Sequence, residues 1–436
     1  MLRRVTTSTF RFSAEFVTRR IIFHNASQVA TCTGPARGRR GAEMQDVSVR
    51  SDVAIATDGP TIAAVGPFNE IERDFQDAER VDCGGRIITP GLVDSHTHAV
   101  FGRARYDEQE LRAAGVGYME IAERGGGIHS SVRDLRERSD EDLLQLARQR
   151  MERIARYGAT TVEIKSGYGL SLDAELKTLR VIARLQDECS IRIVPTWLGG
   201  HEIPREYRAR TGGRSEYIDQ LIHEQLPAVI AERLAKFADV FCEPGVFTLD
   251  ETRTILESAR SSGLQLKLHA DELEPCGGAE LAVALGASSA DHLAAISPAG
   301  IQAIAASDTV ATLLPGTMFF LGRPRQAPAR ELLAAGAIVA LATDFNPGTS
   351  PTPNLPLIMT IGVSQLHMSV AESLLATTVN GAAAVGLAGS VGQIAPGFSA
   401  DIALWDCEDI REIPYWYGDA RCAASWCRGE PVKALV

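Results

Sequence analysis

The chain has no apolar run long enough for a membrane helix. Its longest runs, such as Ala334 to Ala342 with the internal Gly336, stop well short of the roughly 18 residues a span needs. Basic runs are missing too. Beyond the N-terminal region there is no long Lys/Arg stretch, and the net charge is −11, which argues against nucleic acid as a partner. There is no Cys-x-x-Cys pair and no dense cysteine framework of the secreted kind. Cys32, Cys83, Cys189, Cys242, Cys276, Cys407, Cys422 and Cys427 are scattered over 436 residues, as expected of small buried side chains in a reducing, cytoplasmic compartment. No internal repeat or low-complexity tract is visible. What remains is a globular chain, 45% hydrophobic, that can bury a barrel-sized core plus an accessory domain.

The first 14 residues hold no acidic side chain and carry Arg3, Arg4 and Arg11 among serines and threonines. That is the composition of an organelle transit peptide, but the stretch is short, and residues 1–19 are expected to be an extension without fixed structure. Residues 20–88 read as short β runs with turn signals: Ile21 to Phe23, Val53 to Ala56, Thr61 to Gly66 and Arg86 to Ile88, with no helical segment of useful length and a loop from Gly34 to Glu43.

From residue 89 to 388 strands alternate with longer helical segments. Asp140 to Tyr157 places Leu143, Leu144, Ala147, Met151 and Ile154 on one face, with Ser139 as N-cap and Gly158 as the stop; Ser171 to Asp187 is a second such helix. Strands are expected at Leu92 to Thr97, Thr160 to Lys165, Ile191 to Leu198, Ala238 to Cys242, Leu264 to His269, Ser288 to His292, Val310 to Leu314 and Ala337 to Asp344. Eight β/α units in about 290 residues match a (β/α)8 TIM-like barrel. Past Ser369 a helix leads into renewed β character at Val391 to Ile394, Asp401 to Trp405 and Ala423 to Cys427. Residues 389–436 are therefore expected to complete the N-terminal strands as a small discontinuous β-sandwich domain.

The chemistry centres on Asp94-Ser95-His96-Thr97-His98. Residues two apart in a strand face the same side, so both imidazoles can address one point, which suits a divalent metal. His269 closes a later strand and Asp344 closes the last, completing a three-nitrogen, one-oxygen set for zinc or iron with room for water. His201 and His292 also fall at strand ends. Such ligands would gather at one switch point in a doubly wound sheet; contributions from the first, fifth and eighth strands converge only if the sheet closes.

The His-x-His motif, His269, Asp344 and the closing Gly392-Gln393-Ile394-Ala395-Pro396-Gly397-Phe398-Ser399-Ala400-Asp401 resemble the metal-dependent amidohydrolase superfamily. Within it, Val162 to Leu170 (VEIKSGYGL), His269-Ala270-Asp271-Glu272, Ser289 to Leu293 and Thr343 to Thr352 (TDFNPGTSPT) resemble the imidazolonepropionases. The resemblance runs from about Arg20 to Val432. It implies hydrolysis of the cyclic amide C–N bond of 4-imidazolone-5-propanoate to N-formimidoyl-L-glutamate, in histidine degradation, by water activated by a single metal, Zn2+ or Fe2+/Fe3+, in a homodimer. It carries the metal ligands to His96, His98, His269 and Asp344, the catalytic partners to Glu272, His292 and Asp344, and the substrate contacts to Arg105, Tyr168, His201, Glu272, Asn346, Gly348 and Thr349.

These roles fit the residue types. Glu272, three residues after His269, can move a proton to the departing ring nitrogen, and His292 can polarise the carbonyl or orient the water. One departure is Arg103, where the family usually has a small residue, so Arg103 could share the carboxylate-binding role of Arg105. Lys165, the bridging lysine of two-metal relatives if carboxylated, reads here as a supporting residue. Gly125-Gly126-Gly127 reads as a lid, because no Lys-Ser or Lys-Thr follows it to make a phosphate cradle. His24, His129, His223 and His367 read as surface or core histidines. Other cyclic amidohydrolases and nucleobase deaminases could use the same ligand set, and a decayed, non-catalytic barrel would lose ligands first, whereas all four are present.

Overall fold

The computed structural model describes residues 19–116, 120 and 125–433. Of the expected extension 1–19, residues 1–18 lie outside that set, while Arg19 belongs to the folded part and pairs with Glu79 at 2.7 Å. Eight parallel strands follow one another in chain order round a single sheet: β1 Leu92–Asp94, β2 Ala159–Lys165, β3 Arg192–Gly200, β4 Phe237–Cys242, β5 Gln265–Ala270, β6 Ser289–His292, β7 Val310–Leu313 and β8 Val339–Leu341. The sheet closes just beyond β8 and β1. Thr97 and Phe345 form a parallel bridge, the Asp344 N–H donates to His96 O at 3.1 Å, and the His98 N–H donates to Phe345 O at 2.9 Å.

All eight expected strands are present, with shifted ends. β8 stops at Leu341 and not at Asp344, because the chain leaves the extended conformation there: Asp344 has φ 51°, in the left-handed region. The helices form where the apolar period and caps coincide. In Asp140–Arg156, Ser139 Oγ accepts the Asp142 N–H at 3.1 Å, and Leu143, Leu144, Ala147, Met151 and Ile154 are buried. Leu172–Glu188 likewise buries Leu176, Leu179, Ile182 and Leu185. One continuous apolar cluster joins these helix faces to the outer faces of the strands.

The two ends of the chain build two further sheets. Thr61–Gly66, Ala54–Asp58, Arg20–His24 and Glu79–Asp82 form one, in that order. Glu430–Pro431, Cys422–Cys427, Ile402–Trp405, Ile87–Pro90, Gln28–Ala30 and Val49–Arg50 form the other. Ile402–Trp405 pairs antiparallel with Ile87–Pro90, so the C-terminal segment is stitched directly to the N-terminal one. Ile21, Phe23 and Ile55 from the first sheet meet Ile88, Ile402, Leu404 and Trp426 from the second in one core, a β-sandwich.

Three expectations here need correction. Phe68–Asp74 is a helix, a stretch of seven residues burying Ile71, too short for its period to stand out from the flanking β pattern. Val391 to Ile394 is not a strand: Gly392 takes φ 88°, and a Cβ there would sit 2.7 Å from Thr378 O, so close approach replaces extension. The Gly34 to Glu43 loop runs into a 3-10 turn at Gly41–Gln45. The eight cysteines are free, five of them buried, and among the described residues no helix is long and apolar enough to cross a membrane.

Phe23 and Trp426 meet edge to face at 4.7 Å, tying the first strand of the sandwich to its penultimate one. Phe23→Ala is expected to cost about 3–5 kcal/mol, the usual range for a buried aromatic, and to lower the urea midpoint followed by circular dichroism. An unchanged midpoint would show that this contact does not hold the two chain ends together.

Candidate metal centre

His269 points inward from β5, whereas His96 and His98 follow β1 and Asp344 follows β8, where the Thr97–Phe345 bridge closes the sheet and brings these segments together. His98 Nε2 is 3.3 Å from His96 Nε2, 3.4 Å from His269 Nε2 and 3.5 Å from Asp344 Oδ1, and His96 Nε2 is 3.6 Å from that same oxygen. A tetrahedral ion with ligands at about 2.0–2.1 Å has donor atoms about 3.3–3.4 Å apart. All four residues are buried.

The donor chemistry also fits a cation. His96 Nδ1 lies 2.6 Å from Asp291 Oδ2, which fixes its proton on that side and leaves Nε2 a bare lone pair. His269 Nδ1 lies 3.0 Å from Asp239 Oδ2, though off line for a full hydrogen bond. Nitrogen lone pairs crowded in a buried space repel unless something positive sits among them. Burial first, then the positive Lys165, holds His96 well below the usual histidine pKa, and burial does the same to His98, which favours the neutral imidazole a metal would need. Asp344 turns one oxygen inward because Thr317 Oγ–H donates to the other at 2.6 Å; burial raises its carboxyl to about 6.

Glu272 and His292 stand beside this set. His292 ends β6 with φ 79°, and its Nδ1 is 3.5 Å from Glu272 Oε2. Burial, reinforced by the negative charges of Asp344 and Glu243, raises Glu272 to about 8, so it carries a proton near neutrality. Burial lowers His292 well below the ordinary value. The Glu272 loop is shaped by Glu243, whose carboxylate accepts the N–H groups of Glu272, Leu273 and Glu274 at 2.8–3.2 Å.

The remaining named residues line the same face. Tyr168 is buried, its ring 5.8 Å from that of His98 and 5.4 Å from that of His201. His201 stacks on His98 at 5.0 Å and is held by a hydrogen bond between Nδ1 and Gly167 O at 2.9 Å; burial brings it to about 3. Arg105 lies over Gly348 so closely that a Cβ there would be 1.6 Å from its Nη2. Its N–H donates to Pro347 O at 2.8 Å and its Nη1 to Ser131 Oγ at 3.3 Å, while Nε is 3.4 Å from Glu108. Its side chain is 10% exposed; that of Arg103 is 53% exposed and turns outward to Asp107. Asn346 is committed to its own loop: Oδ1 accepts the N–H groups of Gly348 and Thr349 at 2.8 and 2.7 Å, and Nδ2 donates to Asp344 O at 2.7 Å and Thr349 Oγ1 at 2.9 Å. In this conformation it builds the loop that Gly348 and Thr349 belong to.

Sequence reasoning passed over Asp239, Asp291, Glu243 and Thr317. For Asp239 a signal existed: a lone carboxylate in the apolar strand Phe237–Cys242, at a position where charge is rarely buried without a partner. Asp291 sits in the quoted Ser289 to Leu293 motif beside His292 but was given no role. Thr317, in the short helix Pro315–Phe320, and Glu243 had no distinguishing pattern.

Comparisons with known proteins give the family of the chain. The Amidohydrolase family profile matches residues 119–433. An imidazolonepropionase from Solibacter usitatus is 44% identical over 94% of this chain and 97% of its own, and one from Bacillus velezensis is 45% identical over 91% and 93%. Among solved structures, a zinc-bound adenosine deaminase from Xanthomonas campestris superposes with a TM-score of 0.69 at 17% identity, covering 96% of this chain and 94% of that one. A triazine hydrolase variant superposes at 0.70 and 18%, covering 95% and 94%; at such identities both show the fold alone. With relatives this similar along nearly its whole length, the chain belongs to the imidazolonepropionase family of the amidohydrolases.

Proposed function

We propose that this enzyme hydrolyses 4-imidazolone-5-propanoate to N-formimidoyl-L-glutamate in histidine degradation, as a cytoplasmic homodimer with one zinc or iron ion per chain. The observation that carries the reading is the cluster of His96, His98, His269 and Asp344 around His98 Nε2, with the half-buried Arg105 on the loop that follows His98, in a chain 44% identical to an imidazolonepropionase. His96, His98, His269 and Asp344 would hold the ion, which supplies Lewis acidity and lowers the pKa of water from 15.7 toward about 7.

The chain's own groups do the rest. Arg105 would offer a planar fork to the propionate, and Tyr168 and His201 pack against His98. Glu272, a carboxylic acid at neutral pH in this setting, has a proton to give to the ring nitrogen as the C–N bond breaks. His292, 3.5 Å from Glu272, is placed to exchange that proton or to orient the carbonyl. Asp344, with one oxygen tied to Thr317, keeps the other available as ligand and proton acceptor. Asn346 shapes the loop of Gly348 and Thr349, and Arg105 rests on that loop at Gly348.

Turnover of the imidazolone, assayed beside hydantoin, dihydroorotate and aminopyrimidines with elemental analysis of the same sample, tests the assignment; turnover of another ring alone would replace it. His96→Ala or Asp344→Ala is expected to remove metal and activity together while circular dichroism stays unchanged, and normal turnover without metal would refute the mechanism. Glu272→Gln should retain its metal and lose rate by roughly 100- to 10,000-fold, as for a general acid or base; loss of the ion instead would make Glu272 a ligand. Arg105→Ala is expected to cost about 2–5 kcal/mol, or roughly 30- to several thousand-fold in kcat/KM, with Arg105→Lys rescuing in part and Arg103→Ala close to the parent. Parent-like kinetics in Arg105→Ala would mean that the propionate is read elsewhere.

A further inference from the structure

Beneath the histidines the barrel interior holds a layer of charge. Glu163 and Lys165 on β2, Asp239 on β4, Lys267 on β5 and Asp291 on β6 are all buried, at 0 or 1% exposure. Charges in such a place are stable only when paired and hydrogen-bonded. Lys165 is the hub: its Nζ donates to Glu163 Oε1 at 2.9 Å and to Asp239 Oδ2 at 2.8 Å, and lies 3.7 Å from Asp291 Oδ2. Those last two oxygens are the ones that face His269 Nδ1 and His96 Nδ1.

We infer that Lys165 is a positioning residue for the metal centre: one ammonium anchors the two carboxylates that orient two of the three histidine ligands, on β5 and just beyond β1. The inference rests on the metal-ligand reading above. Both imidazoles reach the same ammonium through a single carboxylate oxygen each, so their ring planes are set against a common point and not independently. The closed register supports this, since His269 and Asp291 are neighbours across β5 and β6. Burial alone would lower the lysine's pKa, but the Asp239, Glu163 and Asp291 carboxylates outweigh it and raise it. Lys267 provides the contrast. Its Nζ donates to Ser289 Oγ at 2.6 Å and Ala384 O at 3.3 Å, and approaches only one of the two carboxylates, Asp291, at 3.5 Å.

The test measures metal retention as well as turnover. In the full-length holoenzyme, competition with a chelator should show Lys165→Met binding Zn2+ about 10- to 100-fold more weakly than the parent, the usual effect of removing support behind a histidine ligand. The Co2+-substituted protein should show an altered visible ligand-field spectrum. Lys267→Met should weaken binding less. If Lys165→Met does not fold, Glu163→Gln with Lys165→Gln removes one charge of each sign and should show the same loss. Parent-like affinity and Co2+ spectrum in a folded Lys165 variant would overturn the inference, as would failure of both variants to fold, which would make the lysine's role one of folding. A parent chain that takes up no metal, or a His96→Ala variant that keeps it, would instead refute the ligand reading itself.

Discussion

The closure of the sheet between β1 and β8 is the constraint on which the rest of the site depends. Asp94, the last residue of β1, accepts the Thr343 N–H at 3.0 Å and its hydroxyl at 2.6 Å, and the Asp344 N–H then donates to His96 O. These bonds bring the ends of strands separated by some 250 residues into register. Burial raises Asp94 to about 7, a shift that the two bonds from Thr343 oppose. Without that seam the Asp344 carboxylate would have no fixed relation to His96 and His98.

Everything polar in the barrel follows from the low dielectric this closure creates. Burial favours the neutral form of both group types, so one environment lowers the pKa of His96 and raises that of Glu272 to about 8. Carboxylates that must stay charged are matched to a specific partner. Asp239 is held well below the usual range despite its burial, by His269 and Lys165. Position within the barrel, relative to cations and to other carboxylates, separates the acid from the bases.

The mouth of the site is decided by loop packing. Arg105 is pressed on Gly348, flanked by Ser131 and Glu108, and Glu108 in turn accepts the Gly127 N–H at 2.7 Å. This links the last residue of the triple glycine to the arginine proposed to read the substrate. Arg103, two residues away, faces solvent because the helix Tyr106–Ala113 begins right after Arg105 and places Asp107 within its reach.

By itself the sequence determined the architecture and singled out the candidate site residues. Eight alternations of strand and helix, each strand ending in a turn signal, leave few ways to bury so many apolar strands, and ligand types at the ends of the first, fifth and eighth strands imply closure. The short helix at Phe68–Asp74 and the non-strand at Gly392 were illegible because so few residues carry too little periodicity to outweigh their surroundings. The outward turn of Arg103 beside the more enclosed Arg105, the commitment of the Asn346 carboxamide to its own loop, and the contacts of Asp239, Asp291, Thr317 and Lys165 were decided only by the tertiary structure. Each depends on which side chain meets which across strands and loops far apart in the chain, and orientation at that distance is a product of packing that no local pattern records.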